Sequence, residues 1–263
     1  IIRLRSLSKT SLRTEAKAEK RDGPGVEFRF AKPHDAVVVR LGCASELPLD
    51  VLTIEPPEAP GWPALRVEVG RIRRFALDHG ALATISLRKD GAEMHADGAN
   101  LAAVLATLRE SAPDVFGSMT GELLRIIPEF RKVELVEHPG DRVEFGLRLA
   151  DNGVVKGPEL SQGVLYLMGL LALAYDPRPP SVLCIEEPDR GIHPRLLREI
   201  RDLLYRLSYP QSAGLRRAPV QVVATTHSPY LIDLFRDHPG EVVISQKYGG
   251  AARFERLSDR LDL

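Results

Sequence analysis

The residues best suited to chemistry lie in Ser181-Val-Leu-Cys-Ile-Glu-Glu-Pro188, followed by Asp189-Arg-Gly-Ile-His-Pro194. An apolar run ends abruptly in two adjacent carboxylates. A buried strand can carry such a run, and acids at its C-terminal end reach a ligand crevice. Two acids there suit phosphate chemistry, in which one holds Mg²⁺ through water and the other orients a water toward a phosphate. Side chains alternate along a strand, so Glu186 and Glu187 point different ways, one toward metal and one toward the attacking water. A strand that merely ends in surface acids would carry the same pair.

Two further blocks add to this one. Leu160-Ser-Gln-Gly163 precedes a stretch, 164–174, that is apolar on nearly all sides and predicts a buried helix. Ser161 can cap that helix, and Gly163 can let a backbone amide approach a ligand closely. Such a helix start binds phosphate well, although an ordinary capped core helix reads the same by itself. Residues 220–226 read as a second buried strand, with His227 at its tip, on the same edge as Glu187. His227 can hydrogen-bond a γ-phosphate, whereas a lone His after a strand is more often structural.

The elements that must position these residues follow from periodicity. His193-Pro194 reads as the N-cap and first position of a helix over 194–207. Leu196, Leu197, Ile200, Leu203, Leu204 and Leu207 form its apolar face, and Arg195, Arg198, Arg201 and Arg206 lie off it as a solvated face. From 160 onward, helix and strand alternate: a long helix, strand 181–186, helix 194–207, strand 220–225, helix 230–236 and a short strand 242–245. That alternation predicts a mostly parallel α/β core. Upstream, Asn100 is a candidate N-cap for a helix ending near 110, and Pro113 opens a second helix ending near 127. Segments 133–136 and 143–149 pair across the turn 138–141. Segments 26–30, 36–41 and 51–54 read as strands, 56–63 as a Pro-rich loop, and 66–75 as an Arg-rich strand. Residues 1–25, with Arg3, Arg5, Lys9, Arg13, Lys17, Lys20 and Arg21, read as a solvated basic arm.

Composition narrows the partners. The 263 residues carry a formal net charge of +0, so no global basic field calls for nucleic acid; the arginines of 66–74 and 194–207 remain candidates for a local DNA contact. The two cysteines, Cys43 and Cys184, suggest no disulfide framework and fit a reducing, cytoplasmic setting, with Cys184 a small buried thiol. No apolar run reaches the roughly 20 residues of a membrane helix, so no membrane partner is expected. The chain starts at Ile1 rather than Met, which reads as a fragment.

Taken together, the order and spacing of these blocks resemble the C-terminal half of an ABC-type ATPase head, in the RecF, SMC and OLD branch, and most closely the RecF-like "AAA family ATPase" group. Leu160, Ser161, Gln162 and Gly163 resemble the signature motif, with Gln162 in place of the first Gly. Residues 181–187 resemble Walker B, with Glu186 on the metal side and Glu187 as the catalytic carboxylate. Asp189 to His193 resembles the D-loop, and His227 the switch histidine. The resemblance covers 65–263, including a lid region at 97–105 and 124–128. It implies a P-loop NTPase, ABC-ATPase-like α/β core over 160–263, a helical lid and β-hairpin over 96–159, and a β-rich N-terminal segment over 1–95. It implies ATP and Mg²⁺, a homodimer or head-to-head ATP sandwich, and an ATP hydrolase in DNA repair, chromosome maintenance or antiphage defence. A nuclease or other effector would come from a partner.

One departure stands out. No G-x-x-x-x-G-K-[ST] occurs, and the chain has no Gly-Lys pair. The main phosphate grip is therefore expected upstream or on another chain, and this chain by itself is expected to be inactive. The alternative is a non-hydrolysing ABC-like scaffold that dimerises or carries an effector. Glu-Glu-Pro and Thr-His-Ser-Pro are unlike transporter cassettes.

Overall fold

A computed structural model describes residues 13–14, 26–29, 35–43, 49–56, 62–214, 217–248 and 251–260. Most of the basic arm, Phe30 and the greater part of the Pro-rich loop lie outside these residues. The chain divides into two compact units, residues 1–74 with 180–182, and residues 75–179 with 183–263.

The first unit contains a four-stranded sheet in the order β1-β4-β3-β2. Its strands are β1 (Arg13–Thr14), β2 (Val26–Arg29), β3 (Val38–Cys43) and β4 (Leu49–Glu55). β2, β3 and β4 are successive antiparallel neighbours, and β1 joins β4 in parallel. The segment expected to be one Arg-rich strand is instead a helix, α1 (Trp62–Gly70), followed by a short strand, β5 (Ile72–Phe75). Within α1, Val69 is buried while Val67 is exposed. Pro63 falls in the first helical turn, where its missing N–H costs nothing, so it starts the helix rather than extending a loop.

The second unit holds one large apolar core. It opens with α2 (His79–Leu82) and β6 (Ser86–Leu87), then α3 (Leu101–Ser111) and α4 (Pro113–Ile126). β7 (Phe130–His138) and β8 (Arg142–Leu149) pair along their length, and β9 (Val154–Lys156) adds to the far side of β8. Val143, Phe145 and Leu147 alternate on the buried face of β8, beside α3. α5 (Gln162–Ala174) runs through the core, and its residues from Leu165 to Ala174 are all buried. The all-round apolarity of that segment has its cause in this position.

The chemistry-bearing strands follow. β10 (Val182–Glu186) has β11 (Gln221–Thr225) as a neighbour in its sheet. The Glu187 N–H, just past β10, donates to the Thr225 carbonyl at the end of β11 (2.8 Å), so the two strands finish at one edge and run parallel. α6 (Leu197–Ser208), entered through a 3-10 turn at Pro194–Leu196, makes the crossover between them. Its Leu197, Ile200, Leu203, Leu204 and Leu207 are buried as the apolar spacing requires. Beyond β11 come α7 (Pro229–Asp233) and a hairpin of β12 (Val243–Tyr248) with β13 (Ala251–Arg256). The sequence showed one short strand there, because β13 is polar and lacks a clear alternation.

Two expectations about this core need correction. β11 is not a second buried strand: Val220 before it is buried, but Val223 is 47% exposed. It is the end strand of its sheet, so among the described residues one side has no neighbouring strand to cover it. Cys184 is half-buried rather than fully buried.

Polar groups buried in the core are held by specific partners. Arg206, expected on a solvated face, instead forks onto Glu122 of α4, its Nη2 donating to Oε1 at 2.9 Å, while Nη1 bonds both Glu122 and the Tyr175 hydroxyl. Burial and the neighbouring Glu122 carboxylate push the Tyr175 hydroxyl up to about 12. Asn100 stands at the N-cap position of α3, yet its side chain does not cap the helix. Its Nδ2 donates to the carbonyls of Asp90 (2.5 Å) and Glu93 (2.7 Å), and its Oδ1 accepts from the His95 N–H (2.7 Å). The side chain is therefore a staple for the loop before the helix. Asn100→Ala leaves three backbone groups without their partner and should cost about 2–4 kcal/mol. Urea unfolding of the variant would read this as a lower midpoint at unchanged slope.

Candidate functional site

The sheet edge is built from two turns that lean on each other. β10 ends at Glu186, which is half-buried. Glu187 then adopts φ +45°, a left-handed backbone that costs a residue with a Cβ about 1–2 kcal/mol. The turn that follows is tight: the Arg190 N–H donates to the Glu187 carbonyl (2.9 Å) and the Ile192 N–H to the Asp189 carbonyl (3.1 Å). Gly191, at φ +67°, supplies the second left-handed position.

The loop after β11 is pinned to this turn. Thr226 Oγ1 donates to Asp189 Oδ1 (2.8 Å) and accepts from the Ser228 N–H (3.0 Å). Ser228 caps α7 by accepting from the Leu231 N–H (3.3 Å). These bonds place His227, whose side chain is 92% exposed, with Nε2 3.7 Å from Glu187 Oε1. Asp189 is thus spoken for by Thr226, whereas Glu187 and His227 face outward together.

The start of α5 meets the same turn. Ser161 is the N-cap and accepts from the Val164 N–H (3.4 Å). Gln162 Nε2 lies 2.9 Å from His79 Nδ1, at the head of α2. The Cβ direction of Gly163 faces the chain: an added Cβ would come within 2.8 Å of the Gly191 carbonyl oxygen. A Cβ on Gly191 would in turn lie 3.0 Å from Gln162 Oε1. Leu160 belongs to the apolar core, so its side chain anchors the turn and does not reach a ligand.

Gln162 and Gly163 therefore lie against the 189–192 turn, which follows Glu187 and binds the loop of Thr226 and His227. The sequence left out four participants. Thr226 was visible as the second Thr before His227, Gly191 as a glycine in a turn, and Asp78-His79 as a helix-start pair.

Glu186, Glu187 and Asp189 load the edge with negative charge, and hard oxygen donors of this kind suit Mg²⁺. Among the described residues no group of three or more His, Cys, Asp or Glu side chains could hold a metal ion together. Among the described residues no helix is long and apolar enough to cross a membrane.

A family model described as "AAA domain, putative AbiEii toxin, Type IV TA system" matches residues 65–233, which is 169 of the 263 residues. No curated protein matches the chain. Among solved structures, one reported for the ATP-driven dimerisation and DNA-stimulated activation of SMC ATPases aligns at TM-score 0.39 and 11% identity, over 58% of this chain and 88% of that one. An Smc head domain with an extended coiled coil, bound to the C-terminal domain of ScpA, from Pyrococcus furiosus, aligns at TM-score 0.42 and 13% identity, over 59% and 38%. An Smc head domain with a coiled coil and joint from Pyrococcus yayanosii aligns at 0.36 and 14%, over 57% and 29%. Likenesses this loose carry no argument.

The contact between Gly163 and Gly191 makes a local prediction. Gly163→Ala must push α5 and the turn apart and should lower stability by about 1–3 kcal/mol, despite the better helix propensity of Ala. Gly117→Ala in α4 is the control: an added Cβ there meets nothing within 4 Å, so propensity alone should raise stability by up to about 1 kcal/mol. Thermal unfolding of the two variants should shift in opposite directions.

Proposed function

The chain belongs to the AAA-domain family whose model spans residues 65–233, and from that premise we propose that it is the catalytic-carboxylate half of an ATP-hydrolysing head. The observation that carries this reading is the convergence of Ser161–Gly163, the 187–192 turn and His227 on one sheet edge. Glu186 would hold Mg²⁺, which when bound supplies positive charge against the phosphates. Glu187 polarises the attacking water, the exposed His227 hydrogen-bonds the terminal phosphate, and Ser161 with the backbone at Gly163 presents donors to the γ-phosphate of a second head. Asp189, tied to Thr226, holds the turn in place and couples the signature helix to the switch histidine.

ATP then acts as the bridge between two heads in a homodimeric sandwich, and hydrolysis at Glu187 releases them. The strained backbone at Glu187 agrees with a functional position, since such strain persists where the surrounding structure over-determines it. The biological setting we favour is DNA repair, chromosome maintenance or antiphage defence in the cytoplasm, with an effector such as a nuclease supplied by a partner. DNA is a candidate ligand for the exposed Arg195 and Arg198 of the α6 entrance, whereas Arg201 is bound to Asp202 and Arg206 to Glu122.

A second reading has its own observation. The chain contains no Gly-Lys pair, so it has no P-loop lysine of its own. A non-hydrolysing scaffold that dimerises and carries an effector would need none. Mg-ATP calorimetry on the 263-residue chain should show no binding tighter than about millimolar, while addition of a P-loop-bearing lobe should bring it into the micromolar range. Tight binding by the chain alone would remove the argument for a separate phosphate grip. In the complete protein, Glu187→Gln should trap an ATP-bound dimer, seen by light scattering, and lower turnover at least about 100-fold. Rapid turnover by that variant would exclude Glu187 as the base, and a wild-type protein that dimerises on ATP without releasing phosphate would establish the scaffold reading.

A further inference from the structure

α2 has only four residues, yet its place is fixed at both ends. Leu82 is fully buried and packs over Gly169 of α5, where an added Cβ would come within 3.0 Å of the Leu82 Cδ2. Asp78 caps the helix by accepting from the Ala81 N–H (2.9 Å). This seating carries the exposed His79 to the first residue of α5, with Gln162 Nε2 2.9 Å from His79 Nδ1. An amide nitrogen donates and does not accept, so Nδ1 is the acceptor and carries no proton. The other end of the amide is placed as well, since a Cβ on Gly191 would lie 3.0 Å from Gln162 Oε1. The Gln162 side chain thus spans from the head of α2 to the 189–192 turn.

Where that side chain goes matters to the start of α5. The first N–H groups of a helix have no partner within it. Ser161 Oγ meets the Val164 N–H, which leaves those of Gln162 and Gly163 for an anion. A glutamine at a helix start is long enough to reach backbone N–H groups of the first turn. Folded back in that way, Gln162 would compete with phosphate for the same donors. A glycine, the residue it replaces in the signature-like block, has no side chain to do so. We propose that His79 is a positioning residue for Gln162: it holds the amide aside, so that the start of α5 stays open to the γ-phosphate of a second head. The inference rests on the ATPase reading above and adds to it a residue that acts through Gln162 without touching nucleotide.

The test is His79→Ala in the complete protein, made in its Glu187→Gln form so that the dimer is not lost to hydrolysis. Analytical ultracentrifugation with Mg-ATP reads the dimer dissociation constant, which should rise about 5-fold or more, as for one lost neutral hydrogen bond. ATP binding by the single head should stay within about 2-fold, because the signature end serves the partner's nucleotide. The unfolding midpoint without nucleotide should hold to within about 2 °C, as for a surface substitution. In a Gln162→Gly background the His79 substitution should change the dimer constant less than about 2-fold, since no side chain is left to position. A dimer constant for His79→Ala within about 2-fold of its parent, a larger fall in the midpoint, or an equal loss in the Gln162→Gly background each overturns the proposal. If neither the unmodified complete protein nor its Glu187→Gln form dimerises on Mg-ATP, the ATPase reading falls and this proposal with it.

Discussion

The site depends on the closeness of two backbones. The first turn of α5 and the 189–192 turn approach until a single methyl group on Gly163 would collide with the Gly191 carbonyl. Only a glycine at each place allows it, one for space and the other for its left-handed φ. Through this contact a core helix, whose position is set by burial of every residue from 165 to 174, transmits that position to a surface turn. The turn then passes it to the loop of His227 by the Asp189–Thr226 bond. Rigidity originates in the apolar interior and is delivered to the edge by one steric contact and one hydrogen bond.

The second unit handles its buried polar groups in two distinct ways. Asn100 meets three backbone groups with three hydrogen bonds, and Glu122 meets Arg206 and Tyr175 in a compact network. Both are satisfied locally, so they serve the fold. The Tyr166 hydroxyl and the Nε and Nη2 of Arg217 are the contrast, buried without a hydrogen-bond partner among the described residues. Glu187 likewise holds a conformation that its residue type disfavours. Of the three left-handed non-glycine positions among the described residues, Asp141 and Asn152 fall in turns flanking β8 and Glu187 falls at the sheet edge.

Much of the second unit was legible in the linear pattern. The apolar face at Leu197, Ile200, Leu203, Leu204 and Leu207 required a helix, and it is one. Segments 133–136 and 143–149 read as paired strands, and β7 and β8 pair along their length. The capped start at Ser161 and the carboxylates ending β10 stood where type and spacing put them. Local chemistry governs each of these, so local sequence suffices. Where reading failed, a distant partner had overridden a local signal or a neighbouring strand was missing. Arg206 looked solvated until Glu122 of another helix reached it, and β11 looked buried although it ends its sheet.

Sequence by itself determined the residue types available to the edge: two adjacent acids, an aspartate, a histidine after a strand and a glycine at a helix start. It determined too that no Gly-Lys pair is present, since a covalent absence needs no fold to be read. Tertiary structure decided what each residue faces. It turned Gly163 toward Gly191 rather than toward open space, tied Asp189 to Thr226, and left the half-buried Glu187 beside the exposed His227. The reason is one of range: propensity and periodicity act over a few residues, whereas these contacts join positions about thirty to eighty apart, which only the packed core brings within reach.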